Sequence, residues 1–155
     1  MKFVFLFLGK TREKYLNDGI RDYVKRLERF VQVDIVVIRE SVSKKLPENV
    51  LKQREAEQLL NHCSPSSLVV ALDPHGTEHD SIELAALIGD WEDRGIRTIS
   101  FLIGGHCGFH ENVLNKADSV FSLSRLTFTH EMTRLILLEQ LYRGWMIKSG
   151  RNYHY

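Results

Sequence analysis

The stretch Ser100–Phe109, SFLIGGHCGF, changes character halfway along. An apolar run from Ile99 to Ile103 stops at Gly104 and Gly105, and a third glycine follows at Gly108. Buried strands end this way where the backbone must turn sharply or where something must come close to it. The segment GGHCG is not the G-x-G-x-x-G fingerprint, and no Gly-Lys-Ser/Thr follows to make a P-loop. Taken alone, it fits either a tight turn or a backbone cradle for a flat ligand.

Reading outward, apolar strands alternate with helical patterns. Phe3–Leu8 reads as a buried strand ended by Gly9 and Lys10. Tyr15, Ile20, Tyr23, Val24, Leu27 and Phe30 recur at helical spacing and predict an amphipathic helix over 12–30, with Lys14, Arg21, Lys25 and Arg29 on its other face. Val33–Ile38 is a second strand, and 41–46 a polar loop holding Lys44 and Lys45. Pro47 opens a helix that runs to Asn61. Leu68–Leu72 is a third strand ending at the turn signal DPHG. Ser81 is the expected cap of a helix reaching Arg94, with Gly95 beyond it. Thr98–Ile103 is the fourth strand, 110–117 a short helix and Ser119–Leu123 a fifth strand. Thr129 caps a last helix reaching Ile147, and Gly150 closes it. No repeat, linker or low-complexity segment interrupts the 155 residues, which predict one domain.

Strands that are apolar throughout, alternating with helices, predict an α/β fold: a mostly parallel sheet with helices on both faces. Ligands of such sheets bind beyond the carboxyl ends of the strands. Three strand ends are therefore candidates: Leu72–Gly76, Ile103–Gly108 and Leu123–Phe128.

Composition narrows the class. With 43% hydrophobic and 26% charged residues the chain is an ordinary globular one. No apolar run approaches the ~18–20 residues of a membrane span. The N-terminal MKFVFLFLGKTREKY lacks a small-residue cleavage site and reads as a first strand rather than a signal peptide. Two cysteines, Cys63 and Cys107, suggest no disulfide framework and point to the cytoplasm. The net charge of +1 hides a division: +6 over residues 1–54, −8 over 55–118 and +3 over 119–155. If the two basic ends meet, they form a face able to track phosphates; otherwise they are unevenly charged solvated surface.

The remaining motifs divide between bland and functional readings. His75, His79, His106, Cys107 and His110 lie close in sequence, but their spacings match no zinc pattern, and no metal is expected. Cys107 has no partner base marked by a signature, so a nucleophilic role has little support. The stripe Leu135, Leu138, Tyr142, Trp145, widened by Ile136 and Leu141, fits core or a dimer interface. In the tail KSGRNYHY, cations alternate with aromatics, which suits phosphate contact and base stacking or merely a frayed terminus.

The segments LIGGxxG, SLSxLTFTHEMTRLILLEQLYRGWxI and the closing G-x-x-Y-H resemble the large-subunit rRNA pseudouridine N3-methyltransferases of the SPOUT superfamily. The total length, the first strand ending near Gly9 and the segment ALDPHG also fit. This resemblance implies a C-terminal trefoil knot and a cytoplasmic homodimer whose site forms between subunits. It implies S-adenosyl-L-methionine as cofactor. The implied substrate is N3 of a pseudouridine in helix 69 of 23S rRNA, on assembled ribosomes; neither DNA nor membrane is an expected partner. Carried onto this chain, the cofactor site comprises Leu72, Gly104, Gly105 and the run Leu123, Ser124, Arg125, Leu126, Thr127 and Phe128. From residue chemistry, His154 is a candidate base and Arg143 a catalytic or phosphate-holding cation. Lys148, Arg151, Tyr153 and Tyr155 are candidate RNA contacts.

The sequence departs from the family pattern twice. His106 and Cys107 follow the glycines where a small residue or proline is usual, and Tyr155 stands where a basic residue commonly follows Tyr-His. These departures leave open a ribosome-associated RNA-binding protein with an impaired site. A Rossmann-like enzyme with another nucleotide cofactor is the other alternative, although the first strand ends LGKTRE rather than in the dinucleotide fingerprint.

Overall fold

The computed structural model describes residues 1–39 and 46–151. Strand β1 (Lys2–Leu8) lies inside a five-stranded sheet, with β2 (Gln32–Ile38) on one side at the edge and the central β4 (Thr98–Ile103) on the other. Strand β3 (Leu68–Glu78) follows β4, and β5 (Ser119–Ser122) forms the far edge, giving the order β2-β1-β4-β3-β5. Every pairing is parallel.

Burial on both faces explains why the strands are apolar without alternation. Phe3, Phe5 and Phe7 of β1 point to one side with Phe101 of β4. That side is covered by α1 (Lys14–Leu27), α3 (Ser81–Asp93) and α5 (His130–Lys148), through Ile20, Ile88, Trp91, Leu138 and Leu141. Leu6 and Leu8 point to the other side, against Ala56 and Leu59 of α2 (Glu48–Asn61) and Val113 of α4 (Glu111–Lys116). The aromatic layer is interlocked: Phe3 meets Phe101 edge-on at 5.3 Å, and Phe5 stacks on Phe101 at 5.1 Å. Such pairs add about 0.5–1.5 kcal/mol each beyond area burial.

The elements match the expected α/β fold, with informative differences. Strand β3 does not end at Leu72 but resumes pairing with β5 after residues 73–76, so that both Leu72 and Thr77 face Phe121. The DPHG signal marks an excursion inside a strand rather than its end. Close backbone approach is the reason: a Cβ on Gly76 would lie 2.6 Å from the Val120 carbonyl oxygen. Asp80, not Ser81, caps α3, accepting from the amides of Ile82 and Glu83 while Glu83 reaches back to the Asp80 amide at 2.8 Å. Thr129 caps α5, as expected, through the Met132 amide. The Lys44–Lys45 loop lies outside the described residues. Among the described residues no helix is long and apolar enough to cross a membrane.

Candidate functional site

The carboxyl ends of β3, β4 and β5 open onto one cavity of about 430 Å³. Its walls come from three chain segments: Leu72–Pro74, Ile103–Phe109 and Phe121–Thr133. Of the nine residues expected to hold a cofactor, the structure places eight on these walls: Leu72, Gly104, Gly105, Leu123, Ser124, Leu126, Thr127 and Phe128. Arg125 is exposed and is not among the lining residues.

The two glycines have a neighbour that the sequence does not announce. A Cβ on Gly104 would lie 3.2 Å from the ring of Phe109, and one on Gly105 would lie 3.4 Å from the Glu55 carboxylate. A side chain at Gly104 would have to displace the Phe109 ring by a few tenths of an ångström, whereas one at Gly105 would make ordinary contact with Glu55. Glu55 is itself buried, on α2.

Asp73 contributes a carboxylate to the wall. Its Oδ1 accepts from the His75 backbone amide at 2.9 Å and contacts His75 Nδ1 at 3.0 Å. This Asx-type turn orients the side chain within the β3 excursion. Asp73 and His130 are lining residues that were not singled out from sequence. The signal for Asp73 was available, since it opens the DPHG segment at one of the three strand ends. His130 was hidden as the first residue of a helix read as apolar packing.

Helix α5 joins this cavity to the remote parts of the molecule. Its first turn lines the cavity through His130 and Thr133. Arg134, fully buried, donates from Nη2 to the Leu8 carbonyl at 2.5 Å and from Nη1 to Thr11 Oγ1 at 2.9 Å. Its guanidinium lies 4.7 Å from the centre of the Phe7 ring. Glu131 Oε2 accepts from the amides of Arg12 and Glu13 at 2.9 and 3.2 Å, which serves the N-terminus of α1 in place of a local cap. Neither Glu131 nor Arg134 stood out in the sequence, because their partners are more than a hundred residues away.

The other expected site residues lie elsewhere on α5. Arg143 sits thirteen positions after His130, about 20 Å along the helix. It holds Glu139 Oε1 through Nε and Nη2 at 3.2 and 2.7 Å and does not line the cavity of its own chain. Lys148 pairs with Glu92 and lies 4.8 Å from the Trp145 ring centre. Arg151 lies 5.7 Å from the centre of Phe30, at the amino end of the sheet. Tyr153, His154 and Tyr155 lie outside the described residues. Helices α1 and α5 pack side by side, with Tyr23 and Tyr142 at 6.0 Å and Arg26 5.8 Å from Tyr142, whereas Lys52 and Arg54 of the basic first stretch lie on α2 at the other face of the sheet.

His79 and His110 take ordinary structural parts, while His106 lines the cavity. His110 caps α4 through the Asn112 amide, and His79 packs edge-on against Phe121 at 4.7 Å. Among the described residues no three His, Cys, Asp or Glu side chains converge as a metal site. The Cys107 thiol is pushed above its usual value by desolvation and then by the charges of Glu48 and Glu55, the reverse of what a nucleophile needs.

A doubly covered parallel sheet with its cavity beyond the strand ends defines an α/β protein of the class that binds small organic ligands at that edge. The chain belongs to the SPOUT methyltransferase family: the family described as "Predicted SPOUT methyltransferase" matches residues 1–154. A ribosomal RNA large subunit methyltransferase H from Trichlorobacter lovleyi is 39% identical over 155 residues, covering 100% of both chains. One from Acetivibrio thermocellus is 39% identical over 158 residues, covering 99% of both. A probable methylase family protein from Haemophilus influenzae Rd KW20 shares the fold, with a TM-score of 0.56 at 12% identity over 99% of this chain and 70% of that one.

Proposed function

We propose that this protein transfers a methyl group from S-adenosyl-L-methionine to the RNA of the large ribosomal subunit. The observation that carries the reading is the cavity at the ends of β3, β4 and β5, walled by eight of the nine residues expected for the cofactor, in a chain of the SPOUT methyltransferase family. The relatives named as large-subunit rRNA methyltransferases match it end to end.

The wall chemistry fits the methyl donor. Leu72, Phe121, Leu123 and Phe128 offer apolar surface for an adenine ring. Ser124 and Thr127, with the surrounding main chain, offer hydrogen-bonding groups for its edge. The Asp73 carboxylate favours a cationic guest, which S-adenosylmethionine is at both its sulfonium and its ammonium. When bound, that cofactor supplies an electrophilic methyl group whose leaving group is a neutral thioether. The protein's task is then to hold the accepting nitrogen in line and to take its proton.

The finer reading is methylation of N3 of a pseudouridine in helix 69 of 23S rRNA on assembled ribosomes, by a cytoplasmic homodimer. The same reading includes a knotted C-terminal passage. Helix length supports a site shared between subunits. From His130 to Lys148, α5 advances about 27 Å, from the cavity to the opposite end of the sheet. The four residues after Arg151 span at most about 14 Å when extended. In this reading Arg143 and the chain end with His154 serve the cavity of a second copy of the chain. His154 acts there as the base, with Lys148, Arg151, Tyr153 and Tyr155 holding RNA; His130, on the cavity wall itself, is the alternative base.

The test is methyl transfer from labelled S-adenosylmethionine to intact ribosomes, separated subunits and free rRNA, with the modified nucleotide mapped by mass spectrometry. Label at one pseudouridine of intact ribosomes supports the reading. Cofactor binding without label in any rRNA defeats it. Mixing an inactive Leu72→Arg protein with an inactive His154→Ala protein restores activity only if the site is shared.

A further inference from the structure

The large apolar side chains most exposed among the described residues are Tyr15, Val37, Ile82 and Leu126. All four lie at the carboxyl edge of the sheet, where the cavity opens. Val37 is next to last in β2, Ile82 opens α3 just after β3, and Leu126 is a cavity wall residue. Tyr15, at 64% exposure, stands in the first turn of α1. Among the described residues the amino edge of the sheet has no counterpart.

Tyr15 also has distinctive neighbours. The chain before it reads Gly9-Lys10-Thr11-Arg12-Glu13-Lys14, three cations and one acid. Lys10 and Lys14 are exposed, and Lys14 has only a loose pair with Asp18, at 3.6 Å. Yet this corner is held firmly. The Gly9 amide donates to the Ile38 carbonyl at 2.8 Å. Arg134 grips Leu8 and Thr11, and Glu131 grips the amides of Arg12 and Glu13. The gripping residues share one turn of α5 with His130 and Thr133, which line the cavity. The Glu131 carboxylate already serves the end of α1, so an anion must be met by side chains rather than by the helix terminus.

We infer that the corner between β1 and α1 is an RNA-docking element beside the methyl-donor cavity: Lys10 and Lys14 bind backbone phosphates, and Tyr15 stacks on an unpaired base. The inference rests on the RNA-methylation reading above and names where that RNA lies. An exposed ring flanked by cations is the chemistry that recognises unstacked bases in single-stranded loops, and it needs no particular sequence. A charged patch of this sign favours a polyanion over a second copy of the chain, whose matching corner would repel it. Anchoring the loop to the helix that lines the cavity places the flanking nucleotides at a set distance from the base to be methylated.

The experiment measures methyl transfer to ribosomes by wild type, Lys10→Ala, Tyr15→Ala and Tyr15→Phe at several salt concentrations. Cofactor affinity is followed by calorimetry and assembly by sedimentation. Lys10→Ala is expected to lower kcat/KM about fivefold to tenfold through KM, with kcat unchanged, and to reduce the log–log salt slope by nearly one. Tyr15→Ala is expected to lower kcat/KM roughly tenfold, with Tyr15→Phe retaining most of it. Cofactor affinity and sedimentation stay as in wild type. Variants that methylate ribosomes as well as wild type, with the same salt slope, overturn the inference and leave the RNA-methylation reading intact. A Tyr15→Ala protein that sediments as a smaller species also overturns it, by placing Tyr15 in a contact between copies. Wild-type protein that binds S-adenosylmethionine yet methylates no RNA overturns the parent reading and this one together.

Discussion

The two ends of α5 are held in different ways. At its start, charged groups bond to backbone: Arg134 to the Leu8 carbonyl, Glu131 to two amides of the α1 terminus. At its end, aromatic surface does the holding. Trp145 stacks on Phe30 at 5.8 Å, and Tyr142 lies 6.2 Å from Phe30 and 6.0 Å from Tyr23. Directional bonds set a geometry, whereas apolar contact mostly contributes stability. The end of the helix that borders the cavity has the directional bonds, and the distant end has the apolar mass.

Substitutions at the two ends should therefore separate stability from ligand binding. Trp145→Ala has the largest expected effect on stability, about 4 kcal/mol. That corresponds to roughly 8–16 °C in melting temperature for a chain of this size. Calorimetry well below the transition should show its affinity for S-adenosylmethionine unchanged. Arg134→Met retains volume but leaves the Leu8 carbonyl unserved, at about 3 kcal/mol. Here the same titration should show cofactor binding weakened several-fold. If both variants weaken binding alike, the contrast between the ends is broken.

Gly76→Ala sharpens the comparison from the neighbouring wall. The added methyl meets the Val120–Phe121 backbone, an overpacking of about 1–3 kcal/mol that shifts Asp73. Thermal melting and cofactor titration should move together. Glu131→Ala removes the remote cap of α1, costing about 1 kcal/mol, and hydrogen exchange should show the amides of Arg12 and Glu13 deprotected. The smallest effect is a pH dependence far from the site. Burial pushes the Cys63 thiol up to about 11. Its pKa is higher folded than unfolded, so its contribution is complete below pH about 9 and is lost as the pH rises toward 11. The difference in denaturant midpoint between wild type and Cys63→Ala should be constant below that alkaline window and change only within it.

Most of the fold was legible in the sequence because its signals are local. The strand Thr98–Ile103 and the helix capped by Thr129 stand in the structure as their hydrophobic patterns and caps predict. What was not legible depends on partners distant in the chain. DPHG reads locally as a turn, and only β5 lying alongside lets β3 resume after it. The Asp80 cap is a different case, since its partner is local: Glu83 stands at capping-box spacing in the sequence and reaches back to the Asp80 amide. The cavity walls followed from the rule that parallel sheets bind at their carboxyl edge, sharpened by family resemblance. The direction of Gly104 and Gly105 toward Phe109 and Glu55 required coordinates, since no periodicity reports which way an absent side chain would point.

The grip of α5 on the first loop has a consequence in time. Arg134 and Leu8 are 126 residues apart, and Glu131 and Arg12 are 119 apart. During synthesis, the pairing of β1 with β2 can form early from neighbouring chain, but the loop after β1 waits for almost the last segment to be made. A nascent chain stopped before residue 131 has its first strand in place but lacks the grip of Glu131 and Arg134 on the corner, which is then held at Gly9 by Ile38 alone among these contacts. The molecule becomes competent only when its end returns to its beginning.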